Sequence, residues 1–429
     1  MNNQSDHQTR IRKAFVMVSL FVLLGKFAGA AKEMAVAWRY GTSAYLDAYL
    51  FVFNYVSFPV SISLSIFSVT LIPLISKYVG TEKLTKFRSE FFTFTILYSL
   101  IVWFISYFSI EYILTHSTMS QQMLTYSIEI LPDMSVLIPF ACVSAYFSVL
   151  MMSNEKHYNT LYESIPPLFV IFVIIIPFDI VKNPLVFGTV VGFIVHLIVL
   201  YFWGMNKPNL KPSYTIQQTE MWRQLATNIG VVMVGQILMS TLSLIDQYYL
   251  ARLDAGSVSS LSYASKLCAL LLGLVATAIN RSTLPVFSSM KPELEKDLIF
   301  NLLIRWTGIV FFLGLFFVVA VYFFGDLLVF ILFERGAFDA NATKNVADIF
   351  LILALQSPMH FVYLLISTYF VSIRRYDYVA FCSLLCVMSK VFSLEFLGFN
   401  TAELVAASTV LVYLVAFIFM IFFVVRDRS

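Results

Sequence analysis

The chain has 429 residues, of which 59% are hydrophobic and 12% are charged, and its formal net charge at pH 7 is +3. Soluble domains carry about 25% charged residues, so this composition excludes a soluble protein and predicts a polytopic membrane protein. The small net charge is spread between apolar runs and gives no basis for nucleic-acid binding. The four cysteines lie in or beside apolar runs without metal-ligand spacing, which disfavours a disulfide framework or a zinc site.

Apolar runs long enough to cross a bilayer recur along the whole chain. They are 14–36, 46–76, 90–113, 124–152, 159–179, 184–205, 224–251, 257–288, 301–333, 342–373, 377–398 and 402–425. We therefore predict an all-α membrane protein with about twelve transmembrane helices. Pro59, Pro139 and Pro358 fall inside these runs and predict kinks. The first run lacks a short apolar core followed by a cleavage site, so we expect it to remain as the first helix.

Lysine and arginine concentrate in every second linker between these runs. The basic residues are Arg10, Arg12, Lys13, Lys77, Lys83, Lys86, Arg88, Lys156, Lys207, Lys211, Lys291, Lys296, Arg374, Arg375, Arg426 and Arg428. The intervening linkers are poorer, with 115–122 lacking both residue types and with single exceptions at Arg39, Lys182, Arg252 and Arg335. Because basic linkers stay on the cytoplasmic side, both termini are predicted to be cytoplasmic.

A weak internal repeat divides the chain into two halves. The segment LIPLIS at 71–76, near the end of the second run, recurs as TLPVFS at 283–288, near the end of the eighth. We therefore predict two pseudo-repeated six-helix lobes, 1–206 and 225–429, joined by a cytoplasmic linker at 207–224. Transporters built from such halves commonly hold the substrate between them, so a central cavity is expected.

Four basic residues inside the predicted spans are candidate substrate contacts. Lys26 lies about twelve residues into the first run, or roughly 18 Å along a helix. A cation at that depth costs about 2.5–3.5 kcal/mol, so we expect it to face a polar cavity and bind an anion. Lys32, Lys266 and Arg281 are the other candidates. A cavity with these charges suits a diphosphate head group.

Each basic candidate has a structural alternative. Lys26 and Lys266 could each pair with a buried carboxylate. Lys32 could reach the lipid head groups. Arg281 could anchor the cytoplasmic end of its helix.

Three acidic residues are interpreted either as structural partners of these cations or as ion-coupling sites. They are Glu33, Asp47 and Asp246. Lys32 could pair with Glu33 or with Asp47. No metal-binding or nucleophile constellation accompanies them.

Four further polar residues in the spans are predicted to have structural roles. Lys390 and Glu395 are expected to satisfy one another or to reach the membrane surface. His196 and His360 are expected to be hydrogen-bonded helix-packing residues.

Several segments together resemble a known family. They are GKFAGAAKE at 25–33, RYGTSAYLDA at 39–48, LIPLIS at 71–76, SYASKL at 262–267, TLPVFS at 283–288, ERGAFD at 334–339 and SIRR at 372–375. In order and spacing they resemble the MurJ (MviN) flippases of the multidrug/oligosaccharidyl-lipid/polysaccharide exporter superfamily. The resemblance covers most of the chain.

This resemblance implies a flippase that moves a polyprenyl-diphosphate-linked saccharide across the membrane by alternating access. Lys26 and Lys32 match cavity arginines of the family, and Glu33 and Asp47 match its acidic positions. The Asp-Arg pair of its eighth helix matches Ser265 and Lys266, and an arginine of its second helix falls near Val60 or Ser61. The cargo therefore stays open between lipid II and another undecaprenyl-linked repeat unit, such as an O-antigen, capsule or exopolysaccharide precursor.

Two other functions are alternatives: a multidrug cation antiporter of the same superfamily, and a membrane-embedded polysaccharide polymerase or ligase. The charged residues deep in the predicted spans are mainly lysines, which disfavours a carrier of cationic drugs. The predicted outer linkers are short, which disfavours a polymerase or ligase, so the flippase is favoured. No glycine-rich ATP-binding loop is visible, and no enzyme activity or cofactor is expected. Transport is expected to draw on the membrane potential, Na⁺ or H⁺. We expect a monomer in the bacterial cytoplasmic membrane, with the lipid-linked saccharide diphosphate and membrane lipids as its partners.

Overall fold

The computed structural model describes residues 2–78, 80–154, 158–176, 182–204, 221–289, 296–373, 375–396, 398 and 400–428. Side chains are described for these residues except at 2–19, 223–232, 236, 280–281, 284–286, 288–289, 296 and 427–428. Within these ranges every regular element is a helix, which confirms the all-α class.

The helices are α1 (Asn2–Tyr40), α2 (Ala44–Lys77), α3 (Glu82–His116), α4 (Gln121–Ser135), α5 (Leu137–Ser153), α6 (Asn159–Tyr162), α7 (Ile165–Ile175), α8 (Pro184–Val199), α9 (Met221–Leu250), α10 (Ser257–Ser289), α11 (Lys296–Phe333), α12 (Ala340–Ala354), α13 (Ser357–Ser372), α14 (Tyr376–Phe396) and α15 (Ala402–Arg428). A π-helical turn, Leu200–Gly204, continues α8.

Each predicted apolar run coincides with one helix or with consecutive helices. In the described part of the chain, seven helices are long and apolar enough to cross a membrane, and up to nine if each of two bent pairs is one span. The chain is therefore a multi-pass membrane protein. The twelve spans and the cytoplasmic placement of both termini stay predictions.

Two of the three predicted proline kinks coincide with breaks between helices. The α4–α5 pair and the α12–α13 pair are each bent by 44°. Pro139 and Pro358 lie in the first turn of the second helix of each pair, where a missing N–H removes no hydrogen bond that the helix needs. In contrast, α2 runs through Pro59 without a break.

The chain divides into two compact units. Unit 1 comprises Met1–Arg39, Val52–Ser117 and Leu124–Gly230, and unit 2 comprises Tyr40–Phe51, Thr118–Met123 and Val231–Ser429. Most of the predicted linker 207–224 lies outside the described residues. The lobe boundaries at 206 and 225 stay predictions.

Two basic residues that depart from the predicted charge pattern have structural partners in unit 1. The Arg39 guanidinium donates a hydrogen bond of 2.7 Å to the backbone carbonyl of Ile174, in the last turn of α7. Terminal carbonyls of a helix lack intrahelical donors, so this contact satisfies one of them. Lys182 pairs with Glu129 at 3.0 Å. Both residues therefore have partners that explain their positions without reference to membrane orientation.

Close packing in unit 2 depends on a glycine in α11. The Ser357 hydroxyl donates a hydrogen bond of 3.0 Å to the Gly314 carbonyl. A Cβ atom at Gly314 would lie 2.4 Å from the Cα atom of Pro358, which is backbone and cannot rotate away. Gly314 therefore lets α11 approach the start of α13.

We expect Gly314→Ala to lower the melting temperature of the purified protein, because overpacking costs about 1–3 kcal/mol of unfolding free energy. Gly308→Ala is the matched control, since Gly308 lies in the same helix and its Cβ atom would meet nothing within 4 Å. The control should unfold at the wild-type temperature or slightly above it, because alanine favours a helix by up to about 1 kcal/mol. Thermal unfolding in detergent measures both variants, and an equal loss in both would contradict the packing explanation.

Candidate functional site

The first group of predicted site residues lies on α1 in unit 1. Lys26 is half-buried and has no ion-pair partner among the described side chains. Lys32 pairs with Glu33, with 2.8 Å between the ammonium nitrogen and a carboxylate oxygen. This is one of the two pairings that the sequence left open for Lys32. The charge of Lys26 is therefore not balanced by a carboxylate among the described side chains.

Lys266 lies on α10 in unit 2. It is half-buried, and its ammonium nitrogen lies 5.9 Å from the centre of the Tyr263 ring. A cation over an aromatic face is attracted by the electron density of the ring. This contact places the head of Lys266 against the Tyr263 ring. The side chain of Arg281, further along the same helix, lies outside the described side chains.

Asp47 caps the amino end of α10 inside unit 2. Its two carboxylate oxygens accept backbone hydrogen bonds from Gly256 at 2.6 Å and from Ser259 at 2.7 Å. The first N–H groups of a helix have no intrahelical acceptor, and the positive end of the helix dipole favours an anion there. The observed role of Asp47 is therefore to hold the α10 terminus, which neither sequence alternative anticipated.

Asp246 forms a buried ion pair with a lysine of α14. Lys390 is 1% exposed, and its ammonium lies 2.5 Å from the Asp246 carboxylate. The same ammonium donates to the Thr409 hydroxyl at 2.6 Å and to the Val405 carbonyl at 3.3 Å. Three helices, α9, α14 and α15, therefore meet at one charged group.

The predicted partnership of Lys390 with Glu395 is wrong. Glu395 instead accepts a hydrogen bond from the Tyr249 hydroxyl. Lys390 does not reach the membrane surface either, because its head is enclosed by the Asp246, Thr409 and Val405 contacts. Lys390 pairs with Asp246 because α14 packs against α9, and spacing along α14 alone does not determine this partner.

A cavity of about 350 Å³ lies beside this ion pair in unit 2. Its polar lining residues are Asp246, Ser265, Gln356, His360, Thr409 and Tyr413. The Gln356 side-chain oxygen and the His360 Nδ1 atom are buried and have no hydrogen-bond partner among the described residues. Buried polar groups normally find a partner, so these atoms suit a cavity that admits water.

The two histidines differ from their predicted environment. His360 lines the cavity with its Nδ1 atom unpaired, and His196 in unit 1 is buried with both ring nitrogens unpaired among the described residues. Both are packing residues, as predicted. The hydrogen bonds that they were expected to make are not all present, so that part of the prediction is wrong.

One buried carboxylate in unit 1 was missed by the sequence analysis. Glu90 is 4% exposed, and its Oε2 atom accepts a hydrogen bond of 2.9 Å from the Trp222 indole. The Trp222 ring also stacks on Phe91, with 5.7 Å between ring centres. The sequence does show a charged residue, Glu90, at the start of the long apolar run 90–113, which is the feature that could have identified it. Its tryptophan partner lies 132 positions away and could not be inferred.

The sequence model of the family described as lipid II flippase MurJ matches residues 36–429. The chain belongs to this family. A protein named probable lipid II flippase MurJ, from Aquifex aeolicus strain VF5, is 23% identical over 421 residues, which cover 94% of this chain and 82% of that protein. The predicted resemblance is thereby confirmed.

Solved structures agree on the fold. A lipid II flippase MurJ in an inward closed conformation is 20% identical and superposes with a TM-score of 0.82, covering 96% of this chain and 89% of that chain. An inward-facing multidrug resistance transporter of the MATE family, in the MOP superfamily, is 12% identical with a TM-score of 0.77, covering 97% and 98%. At these identities the likeness concerns the fold alone.

Membership of the MurJ family settles two further predictions. Its members are transporters and not catalysts, so the prediction that the chain is not an enzyme is confirmed. The family operates in the bacterial cytoplasmic membrane, which confirms the predicted location and agrees with the apolar spans. The roles of Lys26, Lys32, Lys266 and Arg281 in substrate binding stay predictions.

Proposed function

We propose that this chain flips a polyprenyl-diphosphate-linked saccharide, with lipid II as the cargo, from the inner to the outer face of the cytoplasmic membrane. The observation that carries the proposal is the MurJ family match over residues 36–429. It also favours this function over the multidrug antiporter and the polysaccharide polymerase or ligase. The proposed working unit is a monomer among membrane lipids.

Lys26, Lys32 and Lys266 are the proposed contacts for the diphosphate. Lys26 and Lys266 are half-buried, so their ammonium groups can meet a ligand while their stems stay in apolar surroundings. Lys32 shares its charge with Glu33 and would contribute less. Each ammonium acts as a flexible point charge with three donors, which suits the several oxygens of a diphosphate. Arg281 is proposed as a further contact at the inner rim.

The proposed transport cycle is alternating access of a central cavity between the two lobes. Inverted or parallel repeats commonly support such a rocking motion about a fixed binding site. The repeat at the ends of α2 and α10, 71–76 and 283–288, supports two related halves.

We further propose that the membrane potential drives the cycle, and not a Na⁺ or H⁺ bound at the predicted acids. Each of these carboxylates already has a partner: Glu33 holds Lys32, Asp47 holds the α10 terminus, and Asp246 holds Lys390. Moving one net charge across the membrane is worth about 2.3 kcal/mol per 100 mV. An inside-negative potential favours the outward passage of an anionic cargo.

Complementation tests the proposed cargo. The chain is produced in a bacterium whose own lipid II flippase can be switched off, and growth and lipid-linked precursors are followed. We expect rescue of growth without precursor build-up. Failure by protein that is fully inserted in the membrane would overturn lipid II as the cargo and favour a polysaccharide repeat unit.

A further inference from the structure

A groove in unit 1 lies between the bend that follows α4 and the beginning of α8. We call it the α4–α8 groove, and its volume is about 480 Å³. Its lining residues are Glu129, Asp133, Val136, Lys182, Asn183, Val186, Phe187, Val190 and Val191. None of them belongs to the proposed diphosphate site. The lining is polar at the level where α8 begins, with Lys182, Asn183 and Glu129, and apolar along the first turns of α8.

The polar end of the groove is organised around Glu129. Its Oε1 atom lies 3.0 Å from the Lys182 ammonium and accepts a hydrogen bond of 3.1 Å from the Asn183 side chain. Asn183 is the residue at the amino terminus of α8, so these contacts mark the level at which α8 begins. The charge of Glu129 is balanced by Lys182. The ammonium of Lys182 is largely exposed and keeps donors for another acceptor.

Asp133 lies one helical turn deeper than Glu129, about 6 Å further along α4. Its side chain is exposed and lines the groove, and it has no ion-pair partner among the described residues. It belongs to the α4–α5 pair, which is long and apolar enough to cross a membrane as one bent span. A carboxylate inside a span is costly unless a partner balances it, so we expect Asp133 to take a cationic partner.

The apolar end of the groove follows the first turns of α8. Phe187, Val190 and Val191 line it and are partly exposed, whereas Val186 is buried. These side chains run away from the charged end along the helix. Such a surface fits a hydrocarbon chain lying against α8.

We propose that the α4–α8 groove binds one aminophospholipid molecule. Its primary ammonium pairs with Asp133, its phosphate meets the Lys182 ammonium, and one acyl chain lies along Phe187, Val190 and Val191. The charges are complementary, because the groove has two carboxylates, Glu129 and Asp133, and one ammonium, Lys182. Among the described residues Asp133 is therefore left for a cation, and the exposed Lys182 ammonium keeps donors for a phosphate. This site is separate from the proposed diphosphate site and does not depend on the proposed function.

The chemistry of Asp133 distinguishes this lipid from other membrane lipids. A primary ammonium donates charge-assisted hydrogen bonds to a carboxylate, and these are among the stronger hydrogen bonds in proteins. A quaternary choline head group has the charge but no N–H donor. An anionic glycerol head group lacks the cation altogether and would be repelled by Asp133.

Lipid retention measured by native mass spectrometry tests the site. The full-length protein is incubated with equal amounts of phosphatidylethanolamine, phosphatidylcholine and phosphatidylglycerol, and the tightly bound lipid is identified. We expect phosphatidylethanolamine to be retained at least about tenfold over phosphatidylcholine. Asp133→Asn should abolish this preference. Asp326→Asn is the matched control, because Asp326 is an exposed carboxylate on α11 outside the groove.

Equal retention of the three lipids by the wild-type protein would overturn the proposal, as would a preference that Asp133→Asn leaves intact. Retention of phosphatidylglycerol alone would show that only Lys182 contributes, and it would also overturn the proposal. Val190→Trp provides a second variant that fills the apolar end without changing charge, and it should reduce the retention of phosphatidylethanolamine. Because lipid retention is read without transport, its outcome is separable from the complementation result.

Discussion

Lys26→Glu and Lys266→Glu are each expected to stop cargo export while the protein stays in the membrane. Both changes put a carboxylate where the proposed diphosphate needs a cation, so attraction becomes repulsion. A charge-assisted hydrogen bond contributes about 1.5–3 kcal/mol, so each reversal should lower export at least about tenfold. The measurement is the accumulation of lipid-linked precursors in the complementation strain, normalised to the amount of inserted protein.

Two controls separate the binding of the cargo from general effects of charge. Lys26→Arg keeps the cation and should preserve export. Lys344→Glu makes the same charge change at an exposed position on α12 and should also preserve it. If Lys26→Glu and Lys266→Glu export normally at wild-type protein levels, the cationic-cavity hypothesis is wrong.

The helices were predictable because a membrane span depends on local composition. The run predicted at 184–205, for example, is α8 with its π-helical turn, Pro184–Val199 and Leu200–Gly204. An apolar stretch must satisfy its own backbone groups in lipid, and a helix does this without any distant partner. The hydrophobicity of a segment therefore predicts the helix even where its tertiary contacts are unknown.

Ion pairs were predictable only between close neighbours in sequence. Lys32 and Glu33 are adjacent, and their pair is one of the two that the sequence left open for Lys32. Lys390 and Glu395 are five positions apart, which places them about 140° apart around a helix and disfavours contact. Lys390 instead pairs with Asp246, on a helix that precedes it by more than a hundred residues. Spacing along one helix contains no information about such a partner.

Asp47 shows a second limit of sequence reasoning. Its partners were expected to be side-chain cations or a coupling ion, but its carboxylate accepts hydrogen bonds from the backbone N–H groups of Gly256 and Ser259. Every residue type except proline provides a backbone N–H, so no composition or motif identifies such a group as the partner of Asp47. Only the three-dimensional position of the α10 terminus reveals the contact.

Lys390→Met is expected to be the most destabilising substitution in unit 2. It removes the cation from a pair whose members are 1% and 14% exposed, and it leaves the Asp246 carboxylate buried without a counter-charge. Breaking a buried pair from one side costs about 3–5 kcal/mol of unfolding free energy. Thermal unfolding of the purified protein should show a large fall in melting temperature. Lys86→Met is the control, since Lys86 is an exposed lysine in an i,i+4 pair, and its removal should change the melting temperature little.

Asp246→Asn combined with Lys390→Met should recover most of that loss, because neither residue then carries a charge. Replacing both members of a buried pair is often neutral, whereas replacing one is not. The non-additivity of the single and double variants measures the coupling energy of the pair.

The same double variant also tests the driving force, because a transporter driven by the membrane potential does not need a charge at Asp246. We expect the double variant to sustain growth in the complementation strain. Loss of export by a stable double variant would instead assign the Asp246–Lys390 pair to energy coupling.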